Sequence, residues 1–140
     1  MLVSTSELLS HLNNEQIDSL IELMLLAASA DGELSIEEID QLQKSLLEVD
    51  ELWMTQIDLE KRLSHAHDRI AGAERSARLA AVKSSLSAID TRKAGLELAI
   101  RVMAADGIVR TSERELIMET AEALDVDRDV AADMVKAIVG

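Results

Sequence analysis

At residues 30–38 the chain reads ADGELSIEE, and at residues 105–113 it reads ADGIVRTSE. Each copy contains Ala-Asp-Gly, one residue, an aliphatic residue, three further residues and a Glu, and the two starts differ by 105 − 30 = 75 positions. In both places an apolar segment precedes the motif and an acidic segment follows it. Similar segments at a fixed spacing indicate an internal duplication, which has to be recognised before any other feature is interpreted.

The two segments that precede the motif have the periodicity of buried helices. Residues 15–30 carry apolar side chains at helical spacing, namely Ile17, Leu20, Ile21, Met24, Leu25 and Ala28, with Leu23, Leu26 and Ala27 on the other face. Residues 92–105 repeat this arrangement with Leu96, Ala99, Ile100 and Met103, and with Leu98 and Val102 beside them. A helix that is apolar nearly all round is covered on all sides. The pattern therefore predicts two central buried helices.

About seven helices are predicted in all. Beside the central pair they comprise helices at about residues 31–48, 51–70 and 75–89, an acidic helix after the second motif, and a last helix that follows Asp127. The residues predicted to face inward are Ile36, Ile39, Leu42 and Leu46 in the helix at 31–48, Leu79, Val82, Leu86 and Ile89 in the helix at 75–89, and Val130, Ala131, Met134, Val135 and Ile138 in the last helix. The helix at 51–70 is predicted to start near Trp53 and Met54. Asp90 is predicted to be the N-cap of the second central helix, and Asp127 the N-cap of the last helix.

Composition supports an all-α fold. Hydrophobic residues make up 48% of the 140 residues, yet there is one Trp, no Phe, no Tyr, no Pro and only five Gly. This composition favours helices and lacks the aromatic residues that strands prefer. The length suits one domain over residues 1–140, with halves at about 15–70 and 75–140 that meet near Gly72 and are each too small to fold alone.

The charge balance restricts the class of partner. The chain has 14 basic and 27 acidic residues, a formal net charge of −13. Such a surface repels nucleic-acid phosphates, so we expect a basic protein or a cation as partner and no nucleic acid. The absence of Cys fits the cytoplasm. The longest apolar run, residues 23–30, is too short to span a bilayer and the first residues lack a basic segment, so a cytoplasmic protein without membrane spans or signal peptide is expected.

The repeated motif has two interpretations. In the first it is a structural corner, in which Gly32 and Gly107 end the buried helices in the left-handed conformation and the aliphatic residues Leu34 and Val109 anchor the loops. Ser35 and Glu38 then form a capping box at the next helix. In the second copy Arg110 replaces the Ser, so Ser112 with Glu115 is the better box there, and capping leaves Glu113 partly unexplained.

In the second interpretation each motif is the back half of a calcium loop. Asp31 and Glu38 occupy positions five and twelve of an EF-hand pattern, as do Asp106 and Glu113, with Gly at position six. These four acids are the predicted metal ligands. Positions one and three are Ala27 and Ser29 in the first copy and Val102 and Ala104 in the second. These residues are predicted to lie inside the preceding helices, so half of the oxygen shell is missing and each site would be weak. Arg110 at position nine makes the second loop the poorer one.

Other chemistry has little support. His65 and His67 point to different sides of a helix, because residues two apart do not share a face. No phosphate-binding loop, nucleophile motif or zinc motif is present. We therefore predict no catalytic residue and no cofactor-binding residue.

In both copies an apolar helix ends in Ala-Asp-Gly, followed by an aliphatic residue two positions and a Glu six positions after the Gly. With this pattern twice in an all-helical sequence, the chain resembles the TerB-like family of tellurite-resistance proteins. The same domain type occurs beside a J-domain in some membrane-anchored co-chaperones. The resemblance covers essentially the whole chain and implies two central helices with three-helix halves related by a pseudo-twofold axis. It also implies a non-enzymatic bacterial protein of a chemical-stress or metal-stress system, which works in a protein complex at the cytoplasmic face of the membrane.

In that family, acidic loop residues equivalent to Asp31, Glu38, Asp106 and Glu113 are regarded as a metal-binding feature, and Arg110 departs from the pattern. A divalent cation is thus the one cofactor that the resemblance suggests. The alternative function is a metal-assisted hydrolase that uses these carboxylates, although no His or Lys accompanies them in sequence as an acid–base partner.

Overall fold

A computed structural model of the protein describes residues 11–28, 35–47, 55–104 and 109–139. These ranges contain seven helices and no strand, which confirms the all-α prediction. The helices are α1 (Asn14–Ala28), α2 (Ile36–Leu47), α3 (Gln56–Ala71), α4 (Arg75–Ser85), α5 (Ile89–Met103), α6 (Thr111–Ala123) and α7 (Arg128–Val139). Residue bounds for the domain and its halves stay a prediction.

The helix starts reproduce the spacing of the repeat. Helix α1 begins at Asn14 and α5 at Ile89, a difference of 89 − 14 = 75. Helix α2 begins at Ile36 and α6 at Thr111, a difference of 111 − 36 = 75. The duplication therefore holds at the level of helix boundaries as well as sequence.

The packing has the pattern of a pseudo-twofold axis. Central helices α1 and α5 pack against each other, and each also packs against the last helix of its own half, α3 or α7. Each central helix then packs against the first outer helix of the other half, so that α1 contacts α6 and α5 contacts α2. Helix α4 joins the halves and packs against α1, α3 and α6. Two central helices with three-helix halves are thus confirmed.

Both central helices are buried as their periodicity predicts. In α1 the side chains from Leu20 to Ala27 are all buried, and in α5 those of Leu96, Leu98, Ala99, Ile100, Val102 and Met103 are buried as well. Leu79 and Val82 of α4, and Leu86 directly after it, face the same core, as do Ala131 and Val135 of α7. Val109 is buried as expected for the aliphatic residue of the second motif.

Gly95 marks a close approach of the two central helices. A Cβ atom at this position would lie 2.6 Å from Leu23 Cδ2 and 2.9 Å from Leu20 Cδ1. Since 20 + 75 = 95, Leu20 and Gly95 are repeat counterparts that meet at the pseudo-twofold axis. Because one helix has a large side chain at this position and the other has no side chain, the two equivalent positions can face each other at short range.

Helix α2 corrects one prediction. Leu42 and Leu46 are fully buried, but Ile36 is 84% exposed and Ile39 is 38% exposed, so the expectation that all four face inward is wrong for the two isoleucines. The reason is that the first turn of α2 is exposed at every position except Glu38, whereas the second half of the helix packs into the core.

Two further boundary predictions differ from the structure. The N-cap of α5 is Ala88, which makes no side-chain capping bond, and Asp90 lies in the first helical turn instead. Ile89 is 36% exposed because it begins α5 and does not continue the inner face of α4. Asp127 is confirmed as a capping residue, since its Oδ1 accepts from the backbone N–H of Asp129 at 2.8 Å. Trp53 and Met54 lie outside the described residues.

Candidate functional site

The Glu that ends each motif lies in the first turn of a helix, and in the first copy it is part of a capping box. The backbone N–H of Ser35 donates to Glu38 Oε1 at 2.9 Å. In return, the backbone N–H of Glu38 donates to Ser35 Oγ at 3.1 Å. The predicted reciprocal box is confirmed, and it satisfies two N–H groups that the helix itself leaves without partners.

The second copy uses its Glu in the same way, which corrects the sequence prediction. Helix α6 begins at Thr111, and the backbone N–H of Arg110 donates to Glu113 Oε1 at 2.9 Å. Arg110 Nη1 lies 3.4 Å from the same oxygen. The prediction that Ser112 and Glu115 form the better box is therefore wrong, because the helix starts two residues earlier than that pairing requires. Capping now accounts for Glu113 as well as Glu38.

Of the four predicted metal ligands, the structure describes Glu38 and Glu113 only, since Asp31 and Asp106 lie outside the described residues, as do Gly32, Leu34 and Gly107. Both described carboxylates use Oε1 for capping, and a carboxylate has a second oxygen that can bind a cation. Within the described ranges, no group of three or more His, Asp or Glu side chains is arranged to hold a metal ion. The metal assignment stays a prediction.

The capping assignment makes a quantitative prediction. Replacing Glu113 by Ala is expected to lower the free energy of unfolding by about 1 kcal/mol, because the N–H of Arg110 loses its acceptor. The matched variant Glu115→Ala removes an exposed acid in the same helix and is expected to change it by less than about 0.5 kcal/mol. Urea denaturation measures both, and a larger loss for Glu115→Ala would restore the box that the sequence suggested.

A buried glutamate on α1 forms the centre of an ion cluster that the sequence did not reveal. Glu22 is 1% exposed. Its Oε1 accepts from Arg69 Nε at 2.8 Å and from Arg78 Nη2 at 2.8 Å, while its Oε2 accepts from Arg78 Nε at 2.6 Å. We call Glu22, Arg69 and Arg78 the Glu22 cluster. It joins α1 to α3 and α4 through charge-assisted bonds, and the pair with Arg78 is bidentate.

The cluster has a structural role in this arrangement. Hydrogen bonding to Glu22 raises the pKa of Arg78 above its ordinary value, although burial acts in the opposite direction. Both oxygens of Glu22 are bonded to guanidinium groups, so this carboxylate holds α1 against α3 and α4. The repeat counterpart Glu97 is different: it pairs with Arg101 one turn along at 3.1 Å and is 32% exposed.

Arg92 is a second buried group that the sequence did not single out. Its guanidinium donates to the carbonyl oxygens of Leu86 at 2.8 Å and Ser87 at 3.0 Å, just after α4, and to that of Leu124 at the end of α6. Carbonyl groups at helix ends lack intrahelical partners, and a guanidinium has enough donors to serve several of them. Arg92 therefore connects the ends of two helices.

Helix α4 is attached to α6 through further polar contacts. Arg75 donates to Thr120 Oγ1 at 2.8 Å and to Glu119 Oε1 at 3.1 Å, and burial lowers the pKa of Arg75. Lys83 lies 2.6 Å from Asp125 Oδ2, and this hydrogen bond lowers the pKa of Asp125. Because the pKa of Asp125 is lowered on folding, the pair stabilises the folded state at pH values above the ordinary pKa of Asp. This stabilisation is lost as the pH falls through the lowered pKa of the folded state.

These contacts determine what the surface presents to a partner. The basic residues of α3, α4 and α5 pair largely with acids of the same chain or with helix-end carbonyls. Since acidic residues outnumber basic residues by 27 to 14, the acidic excess remains for the surface. The described residues offer an acidic exterior and an internally paired set of arginines.

Comparison with known families identifies the chain. The family model described as "Tellurite resistance protein TerB" matches residues 18–135. The chain belongs to the TerB family. The matched span begins in α1 and ends in α7, so it includes both copies of the motif and confirms the resemblance found in the sequence.

No curated protein and no solved structure matched this TerB-family chain. In the part of the chain that the structure describes, no helix is both long enough and apolar enough to cross a membrane.

Proposed function

We propose that this TerB-family chain is a non-enzymatic binding or scaffold module of a bacterial tellurite or chemical-stress response. It acts in the cytoplasm, at the inner face of the membrane, as one component of a protein complex. The observation that carries the proposal is the family match, which spans both halves of the duplication and not only one motif. The word tellurite comes from the description of that family.

The charge distribution supports a binding role with a basic protein. The net charge is −13, and the arginines of the Glu22 cluster and the buried Arg92 are already bound within the fold. An acidic surface attracts basic partners and raises the rate of association with them. The same surface repels nucleic acid.

The uses of the described carboxylates argue for binding over catalysis. Glu22 is bound on both oxygens, and Glu38 and Glu113 cap helices. The alternative, a metal-assisted hydrolase, would use the carboxylates of the two loops. A broad hydrolase screen with added divalent metals, on the native chain and on an Asp31→Asn/Asp106→Asn double variant, separates the two functions. We expect no turnover that depends on these residues, and activity lost only in the double variant would establish the hydrolase.

A weak divalent-cation site in the first loop is part of the proposal. Ser35 and Glu38 offer oxygen ligands there, whereas Arg110 approaches Glu113 in the second loop to 3.4 Å and competes with a cation for it. Half of the oxygen shell of a calcium loop is missing, so we expect a dissociation constant of about 10⁻⁴–10⁻³ M.

NMR titration with Ca²⁺, Mg²⁺, Mn²⁺ and Zn²⁺ tests this site. Shifts confined to residues 31–38 and abolished by Glu38→Gln are expected. A flat titration up to several millimolar would remove the cation from the proposal and leave both loops as corners. Shifts centred on residues 106–113 would show that the competing role given to Arg110 is wrong.

A further inference from the structure

We propose that the exposed first turn of α2 is the docking surface for a basic amphipathic helix of a partner protein. The surface consists of Ile36, Glu37, Ile39 and Asp40, and we call it the α2 surface. The inference rests on the proposed binding function and specifies where that function is located and what kind of segment it takes.

The first argument is the exposure of two isoleucines on one helical turn. Ile36 is 84% exposed and Ile39 is 38% exposed, although Leu42 and Leu46 of the same helix are fully buried. Residues three apart lie on neighbouring parts of a helix surface, so the two side chains form one apolar area. Apolar area left in water forgoes the stabilisation that burial provides, and the packing of the described residues leaves most of Ile36 and part of Ile39 in contact with water.

The second argument comes from the duplication. The repeat counterparts of Ile36 and Ile39 are Thr111 and Arg114, at the same positions of the first turn of α6, and both are exposed. The fold therefore accepts polar residues at these two positions of the helix. Since packing within the fold does not require isoleucine at these positions, contact with another protein would explain why isoleucine is present there.

The third argument is charge, which identifies the partner's chemistry. Glu37 and Asp40 lie on the same turn as the isoleucines and are exposed, and Lys44, the one basic residue of α2, has its Nζ 3.3 Å from Asp40 Oδ2. An apolar area bordered by acids complements a helix with an apolar stripe bordered by Lys and Arg. A second copy of this chain, with its own charge of −13, is repelled, as is an anionic membrane surface.

A defined peptide tests the proposal. The probe is a designed helix of about four turns with Leu at i, i+3, i+4 and i+7 and Lys at the exposed positions. There are two control peptides. The first has the composition of the probe in scrambled order, and the second keeps the Leu stripe but has Glu in place of Lys. Each peptide is titrated into the full isotope-labelled chain, and amide shifts are followed by NMR. We expect saturable shifts centred on residues 36–44 with the probe and none there with either control.

Variants of the full chain complete the test. The repeat-guided variant Ile36→Thr/Ile39→Arg places the residues of α6 on α2. It is expected to lower the affinity for the probe peptide about tenfold or more. The matched control is Ile57→Thr, because Ile57 is a 66% exposed isoleucine on α3, outside the α2 surface, and its loss is expected to leave the affinity unchanged.

Three results would overturn the proposal. These are equal binding of the scrambled peptide, unchanged affinity in the double variant, and shifts centred on another helix. Each would show that the α2 surface is not the docking site. The proposed binding function would still stand, because an acidic surface still binds a basic ligand. Absence of shifts with every basic peptide would count against both the surface and the acidic binding role.

Discussion

Replacing Glu22 by Gln is expected to lower the free energy of unfolding by about 2–4 kcal/mol, one of the largest effects of any single change in this chain. The amide keeps the shape of the side chain but places an N–H₂ donor against the guanidinium groups of Arg69 and Arg78, which leaves donors facing donors. The estimate is below the full cost of a broken buried pair, because Arg69 and Arg78 are 34% and 25% exposed and retain some water. For a domain of this size the melting temperature should fall by roughly 10 °C.

The repeat supplies the control for this variant. Glu97→Gln makes the same chemical change at the counterpart position, where the carboxylate is 32% exposed and pairs with Arg101 along the helix. A pair of this kind contributes about 0.3–0.5 kcal/mol. Calorimetry on both variants therefore tests burial, since the side chains are identical. Equal losses for Glu22→Gln and Glu97→Gln would show that the Glu22 cluster does not hold α3 and α4 to the central helix as described.

Gly95→Leu is expected to cost about 3 kcal/mol or more, the second large effect. Even the Cβ atom would lie 2.6 Å from Leu23 Cδ2 and 2.9 Å from Leu20 Cδ1, and both leucines are fully buried. The new side chain must force the central helices apart or push the leucines out of their rotamers. Denaturant unfolding measures the loss, and combining the change with Leu20→Ala should cost less than the sum of the two single variants, because the smaller residue frees space.

The matched variant is Gly72→Leu. A Cβ at Gly72 would approach Asp68 O to 3.9 Å, an ordinary contact, and φ at this residue is −99°, which other residues adopt freely. We expect a change within about 1 kcal/mol. Similar losses at both glycines would contradict the close approach at the pseudo-twofold axis.

The central helices and their register could be predicted from the sequence, because the information is local. Residues 15–30 and 92–105 are apolar nearly all round, and this pattern is typical of a helix that is covered on every side. The motif spacing then set the relation between the halves, and the helix starts at Asn14 and Ile89 confirm it. The Ser35–Glu38 box could also be predicted, since both partners lie within one turn.

The errors arose where exposure or pairing depends on distant parts of the chain. Ile36 and Ile39 continue an apolar stripe in α2, and periodicity alone does not reveal that the neighbouring helices cover only the second half of that helix. The partners of Glu22 lie 47 and 56 positions away, so no local pattern connects them. The role of Glu113 was missed because a shift of two residues in the start of α6 changes which acid can reach the first free N–H.

The central claim is that this TerB-family chain acts by binding a basic protein. Quantitative capture from extracts of the cell that encodes it is the most direct measurement, with the native chain, the Asp31→Asn/Asp106→Asn variant and an unrelated protein of equal negative charge as baits. The account predicts a specific basic protein on the first two baits and not on the third, bound saturably and released as salt screens the acidic surface. Capture of the same proteins by all three baits, or of none by the native chain at low salt, would contradict it.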